Sequence, residues 1–223
     1  MKKGFLILFL ILILPSAMSA QEDAGLWLNG DISWKIAPKL QLEFSESFSF
    51  RENLGEIDRS ETSLDLSYKF FKFLKAGGVY DFIYYNHPTK DWEARHRYKL
   101  YVTGDFSINR FNISVREMFQ STYRVGVAET STRANPKMVL RSRIMAEYDI
   151  KGSKFTPYLS AEYYNTLNDP VKNELVKTRY TAGTRYRINK RNSLEIFYRH
   201  ISEKDDDDVE GSNILGIGYS YKL

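Results

Sequence analysis

His200, Ile201 and Ser202 are the residues whose types and spacing could do chemistry most directly. Side chains two positions apart on a strand share a face, so an imidazole and a hydroxyl would sit side by side there. In that position a histidine can take the serine proton as a general base and leave a nucleophile for acyl transfer. Glu203 or Glu210 could orient the ring. The same even-numbered face carries Leu194, Ile196 and Tyr198, an apolar stripe that suits an acyl substrate. No group in the sequence stands out as an oxyanion donor, and the plainer reading is a polar strand end entering a loop.

A second constellation is charge on the polar faces of alternating segments. Arg95, Arg97, Lys99, Arg116, Arg141, Arg143, Lys177, Arg179, Arg185 and Arg187 alternate with apolar residues, and Glu93, Glu147, Glu162 and Glu195 occupy equivalent places. If these faces line an interior, two readings follow. One is a pore whose basic wall favours anions. The other is an ion-pair network that fills a narrow lumen, since buried arginines need partners. A third constellation, Asp205, Asp206, Asp207 and Asp208, could gather Ca2+ or Mg2+ through oxygen ligands, and its plainer reading is a solvated acidic loop. His87 and His96 have no second ligand at metal spacing and read as structural. The sequence contains no P-loop, dinucleotide fingerprint or zinc pattern, and no cofactor is implied.

The elements that must position these residues are strands. From residue 26 onward, apolar residues recur at every second position, as in Leu40, Leu42, Phe44, Phe48 and Phe50 against Gln41, Glu43, Ser45, Ser47 and Ser49. Similar runs begin near Leu26, Leu64, Ala76, Trp92, Phe111, Met138, Leu159, Val176 and Leu194, and the last spans Asn213 to Leu223. Tight turns are expected at Ala37–Lys39, Leu74–Lys75, Ile108–Arg110, Lys151–Lys154 and Asn189–Asn192. Longer polar loops are expected at Glu52–Arg59, Asn86–Asp91, Arg124–Pro136, Asn165–Glu174 and Ser202–Gly211. Short and long connections therefore alternate, as in up-and-down membrane barrels. The runs number eleven, whereas bacterial single-chain barrels usually have an even count, so the expectation is 10–12 strands.

Composition agrees with this class. Aromatic residues make up 15% of the chain, enough for anchors at membrane interfaces. A mean hydropathy of −0.44 excludes a helical membrane protein but not a barrel, where half of each strand faces a polar interior. There are no cysteines, which excludes disulfides, thiolate metal sites and a lipid-anchored cysteine. Residues 1–20 read as a secretory signal, with Lys2 and Lys3 before the apolar run Phe5–Leu14 and a small-residue exit at Ser19-Ala20. Those two lysines account for half of the formal charge of +4, and the remaining +2 is too balanced for a nucleic-acid partner. Residues 21–223 form one expected domain.

The final strand, with Leu215, Ile217, Tyr219, Tyr221 and Leu223 on one face, resembles the closing strand of bacterial outer-membrane β-barrels, although the usual last residue is Phe. That resemblance implies recognition by the barrel-insertion machinery through this strand. Gly25-Leu26-Trp27-Leu28, the Phe73-Leu74-Lys75-Ala76-Gly77 turn, Asn192–Arg199 and Asn213-Ile214-Leu215-Gly216 resemble a domain-of-unknown-function family of small predicted outer-membrane barrels. His200-Ile201-Ser202 also resembles the His-x-Ser arrangement of outer-membrane lipid A deacylases and phospholipases, with Glu203 where those enzymes carry Asn. The expected fold is an all-β, antiparallel up-and-down transmembrane barrel in the outer membrane of a Gram-negative bacterium, in contact with its lipid and lipopolysaccharide. The expected role is a closed scaffold or a narrow, anion-preferring channel. Two alternatives stand beside it: a membrane-embedded esterase, and a soluble periplasmic lipocalin-like lipid binder with its apolar faces turned inward.

Overall fold

The computed structural model describes residues 23–88, 91–131, 134–205 and 208–223. The expected signal at residues 1–20 lies outside the described residues. Alternation of apolar and polar side chains produces eleven strands. The first four are β1 (Asp23–Ala37), β2 (Leu40–Arg51), β3 (Glu56–Phe71) and β4 (Leu74–Asn86). Next come β5 (Trp92–Ile108), β6 (Phe111–Arg124), β7 (Lys137–Tyr148) and β8 (Phe155–Thr166). The chain ends with β9 (Leu175–Arg187), β10 (Asn192–Asp205) and β11 (Asp208–Lys222).

Each strand pairs with its sequence neighbours, and β11 closes the barrel against β1. All pairs are antiparallel except that last one, which is parallel from Asp23↔Ser212 to Ser33↔Lys222. The odd count follows directly. In an up-and-down series of eleven, the first and last strands point the same way and can meet only in a parallel ladder. Asp23 therefore lies at one end of the barrel and Leu223 at the other.

Two expected loops are shorter than their polar composition suggests. The segment Ser202–Gly211 continues the β10–β11 ladder to Asp205↔Asp208. At Glu52–Arg59 only residues 52–55 leave the ladder, with Glu52, Asn53 and Leu54 at φ values of 51, 54 and 70°. Polar composition suggested loops in both places. Backbone pairing does not require apolar side chains, and Arg51 and Glu56 reinforce the second hairpin with a 2.8 Å ion pair. The turn expected at Leu74–Lys75 falls at residues 72–73, where a register shift brings Phe71 opposite Leu74.

The apolar faces point outward. Leu100 and Leu159 are each 65% exposed, and Phe44, Leu66, Ile144 and Ile196 lie open on the same surface. Asp81, by contrast, is fully buried and faces the interior. This inverts the soluble lipocalin-like arrangement, which needs apolar residues inside. Aromatic pairs mark the strand ends, with Tyr84 stacked on Trp92 at 4.8 Å near the long loops, and Phe111 tilted against Tyr148 and Phe155 against Tyr186 near the short turns. An outer apolar band flanked by aromatic rows is the surface a bilayer selects.

Inside, three bulky side chains narrow the half nearer the short turns. Tyr101, Tyr158 and Phe197 are all buried there. They lie over glycines: a Cβ at Gly77 would meet Tyr101, one at Gly183 would meet Tyr158 and Phe197, and one at Gly216 would overlap the Phe197 ring. These glycines are the space the rings occupy.

Candidate functional site

The polar faces converge on a cavity of about 470 Å3 in the half of the barrel nearer the long loops. Nine cationic side chains and two carboxylates, Glu61 and Glu203, line it. Much of the positive charge is paired. Arg97 donates to Glu61 at 3.1 Å, and Lys99 sits 2.6 Å from Asp81. Arg95 and Arg124 share Glu93 at 2.6 and 3.6 Å. Lys177 is bonded to Glu203.

Lower in the lumen, Glu162 receives Arg116 and Arg141, each at 3.0 Å, and the hydroxyl of Tyr164 at 2.9 Å. Arg141 also donates to Gln120 at 2.9 Å. Arg185 pairs with Glu147 and lies 3.8 Å from Glu195. Among the described residues, Arg143, Arg179 and Arg199 have no carboxylate within 4.0 Å. Arg179 and Arg199 instead lie over the Trp27 ring at 5.3 and 4.8 Å, a cation–π arrangement that holds both guanidiniums without a direct carboxylate contact.

Several of these partners were not visible in the sequence. Asp81 is hidden in the aromatic run Tyr80–Tyr85, and only its odd position on β4 marks it as inward. Glu61 and Arg59 fall within the segment expected to run from loop into strand. Two further carboxylates interrupt the outer face. Glu46 accepts from Ser60 and Thr62 at 2.9 and 2.6 Å, and Glu117 accepts from Ser142 at 2.7 Å. His96 also faces outward, with Nδ1 2.7 Å from the Tyr80 hydroxyl. Beyond the membrane-spanning strands, Asp169 accepts the backbone N–H groups of Lys172 and Val171 at 3.0 and 2.9 Å. Those bonds hold its carboxyl below the ordinary carboxylate range.

The outer face of β10 holds the histidine–serine pair. His200 Nε2 lies 3.1 Å from Ser202 Oγ, and His200 Nδ1 lies 3.1 Å from Oδ1 of Asn213, its partner across the β10–β11 ladder. Asn213 Oδ1 also accepts the Tyr198 hydroxyl. Glu203, the other orienting candidate, is engaged with Lys177 in the lumen. Glu210 is opposite Glu203 in the ladder, and its side chain, like those of Asp205 to Asp208, lies outside the described residues. Among the described residues no cluster of metal-ligating side chains is present.

Residues 24–212 match the model of DUF2490, a protein family of unknown function, and the chain belongs to that family. No curated protein matches the sequence. Among solved structures, the NanC porin in its rhombohedral crystal form is similar at a TM-score of 0.56 and 14% identity, over 90% of this chain and 99% of that one. The beta domain of the Bordetella autotransporter BrkA aligns at a TM-score of 0.48 and 12% identity, covering 85% of this chain and 86% of that one. The likeness to the porin shows the fold: a closed barrel of the outer-membrane porin kind.

Proposed function

We propose that this protein resides in the outer membrane of a Gram-negative bacterium and forms a narrow passage that prefers anions. In this reading residues 1–20 direct export, the C-terminal strand engages the insertion machinery, and lipid and lipopolysaccharide cover the apolar band. The short turns then face the periplasm and the long loops the exterior. The observation that carries the proposal is the excess of cationic over anionic side chains around the 470 Å3 cavity. Low-dielectric walls focus that charge onto the lumen and raise the local concentration of anions. The ion pairs keep the arginines fixed in place, and Arg179 adds a cation held over aromatic rings without a direct carboxylate contact.

Solute entry into proteoliposomes tests this. Small anionic solutes should enter faster than cationic solutes of equal size. Arg179→Glu removes two units of positive charge, worth about 1 kcal/mol at ~8 Å even in the dielectric of bulk water. Entry of a monovalent anion should therefore slow about fivefold, and entry of a cation of equal size should rise. Equal exclusion of both solutes would mean that the lumen is plugged and the barrel serves as a scaffold.

A further inference from the structure

We infer that the outer face of the barrel carries an acyl-ester hydrolase site, with Ser202 as nucleophile, His200 as general base and Asn213 as its positioning residue. The hydrogen-bond chain fixes the roles. An amide oxygen only accepts, so the 3.1 Å contact to Asn213 Oδ1 requires the proton on His200 Nδ1. In the neutral ring Nε2 is then the unprotonated nitrogen, and at 3.1 Å it can accept the Ser202 hydroxyl. That is the tautomer a serine nucleophile needs, obtained with an amide as the orienting group. The arrangement follows from the ladder: His200 pairs directly with Asn213, and Ser202 lies two positions along the same face.

Two further observations identify the substrate class. Ser202 is ten residues above the start of β10 at Asn192. At ~3.3 Å per residue and a tilt of ~40°, this places its hydroxyl about 25 Å above the short-turn end. An apolar band of about 25 Å ends at that height, and ester linkages join acyl chains to headgroups there. Beside the site, a groove of about 530 Å3 runs along the outer surface, floored by Ala146, Ala161 and Ala182, with Leu159 and Tyr180 in its walls and His200 at its edge. The alanines lie among bulkier residues, so the depression follows from side-chain size and offers a bed for one hydrocarbon chain. Thr178, opposite Ser202 in the β9–β10 ladder, brings a second hydroxyl to the same face.

Ser202 Oγ bonds to the ester carbonyl carbon as its proton passes to His200 Nε2. The bond from that carbon to the alcohol oxygen then breaks, and the leaving alcohol takes the proton back. Water, deprotonated by His200, cleaves the acyl-serine, releasing the fatty acid and restoring the hydroxyl. Ester and water give acid and alcohol, and no other reactant is required. The site is independent of the lumen, so neither proposal depends on the other.

The test is fatty-acid release by the purified full-length barrel from vesicles of diacyl phosphatidylethanolamine and, separately, from lipopolysaccharide. Release from one or both is expected, and the substrate that reacts identifies the source of the ester. Ser202→Ala should lower the rate by at least about 10³-fold. Asn213→Ala should lower kcat with little change in KM and shift the pH profile, which a purely structural role would not do. Heat-dependent gel mobility identifies variants that fold. Two results would overturn the site: a folded Ser202→Ala barrel that releases fatty acid at the wild-type rate, or a wild-type barrel that releases none from either lipid and whose Ser202 is not labelled by a long-chain fluorophosphonate.

Discussion

Glu162→Ala should destabilise the folded barrel by about 3–5 kcal/mol, the cost of stranding buried charges by removing one partner. Glu162 is only 7% exposed and is shared by Arg116 and Arg141, both inside the barrel wall. Removing it leaves two guanidiniums beside each other and the Tyr164 hydroxyl without its acceptor. Glu162→Gln keeps an oxygen for one donor while losing the charge, so its cost should be smaller. Urea titration in detergent, followed by tryptophan fluorescence, measures both. The two variants share a second consequence, because each raises the positive charge of the lumen and should strengthen anion preference wherever the barrel still folds. An unchanged unfolding midpoint for Glu162→Ala would show that water screens this cluster far more than its burial indicates.

Gly216→Ala should have the next largest effect. A methyl group there overlaps the Phe197 ring, and the Arg199 guanidinium lies over that ring at 4.7 Å. Overpacking of this kind costs about 1–3 kcal/mol, and strands that must close a barrel have little freedom to shift. Phe197→Ala in the same chain removes the clash. The double variant should be more stable than the sum of the single effects predicts, with a coupling of at least about 1 kcal/mol. Simple additivity would place the cost in the backbone instead of the ring.

The architecture was legible because period-two alternation is a local property. Leu40 to Phe50 against Gln41 to Ser49 identifies a strand and its two faces without any knowledge of its neighbours. The outward direction of the apolar face was less accessible, since a soluble barrel alternates in the same way; the exposed Leu100 and Leu159 decide it. Cross-strand register is a property of pairs, and it hid most of each site. Asn213 meets His200 only because the hairpin closes at Asp205↔Asp208, within a stretch whose acidic composition suggested a loop. Pairing across the lumen is more distant still. Arg116 on β6 reaches Glu162 on β8, and Arg97 on β5 reaches Glu61 on β3, contacts set by strand tilt and side-chain length. The parallel seam was implicit in the odd count of eleven, which stood against an expectation of even-numbered barrels.

The central claim is that a basic lumen selects for anions, and the reversal potential of the purified protein in a planar bilayer under a potassium chloride gradient tests it most directly. Stable current steps with a reversal potential displaced toward that of chloride are the predicted result, with the displacement reduced in Arg179→Glu. A displacement toward potassium, or insertion without conductance, would contradict it.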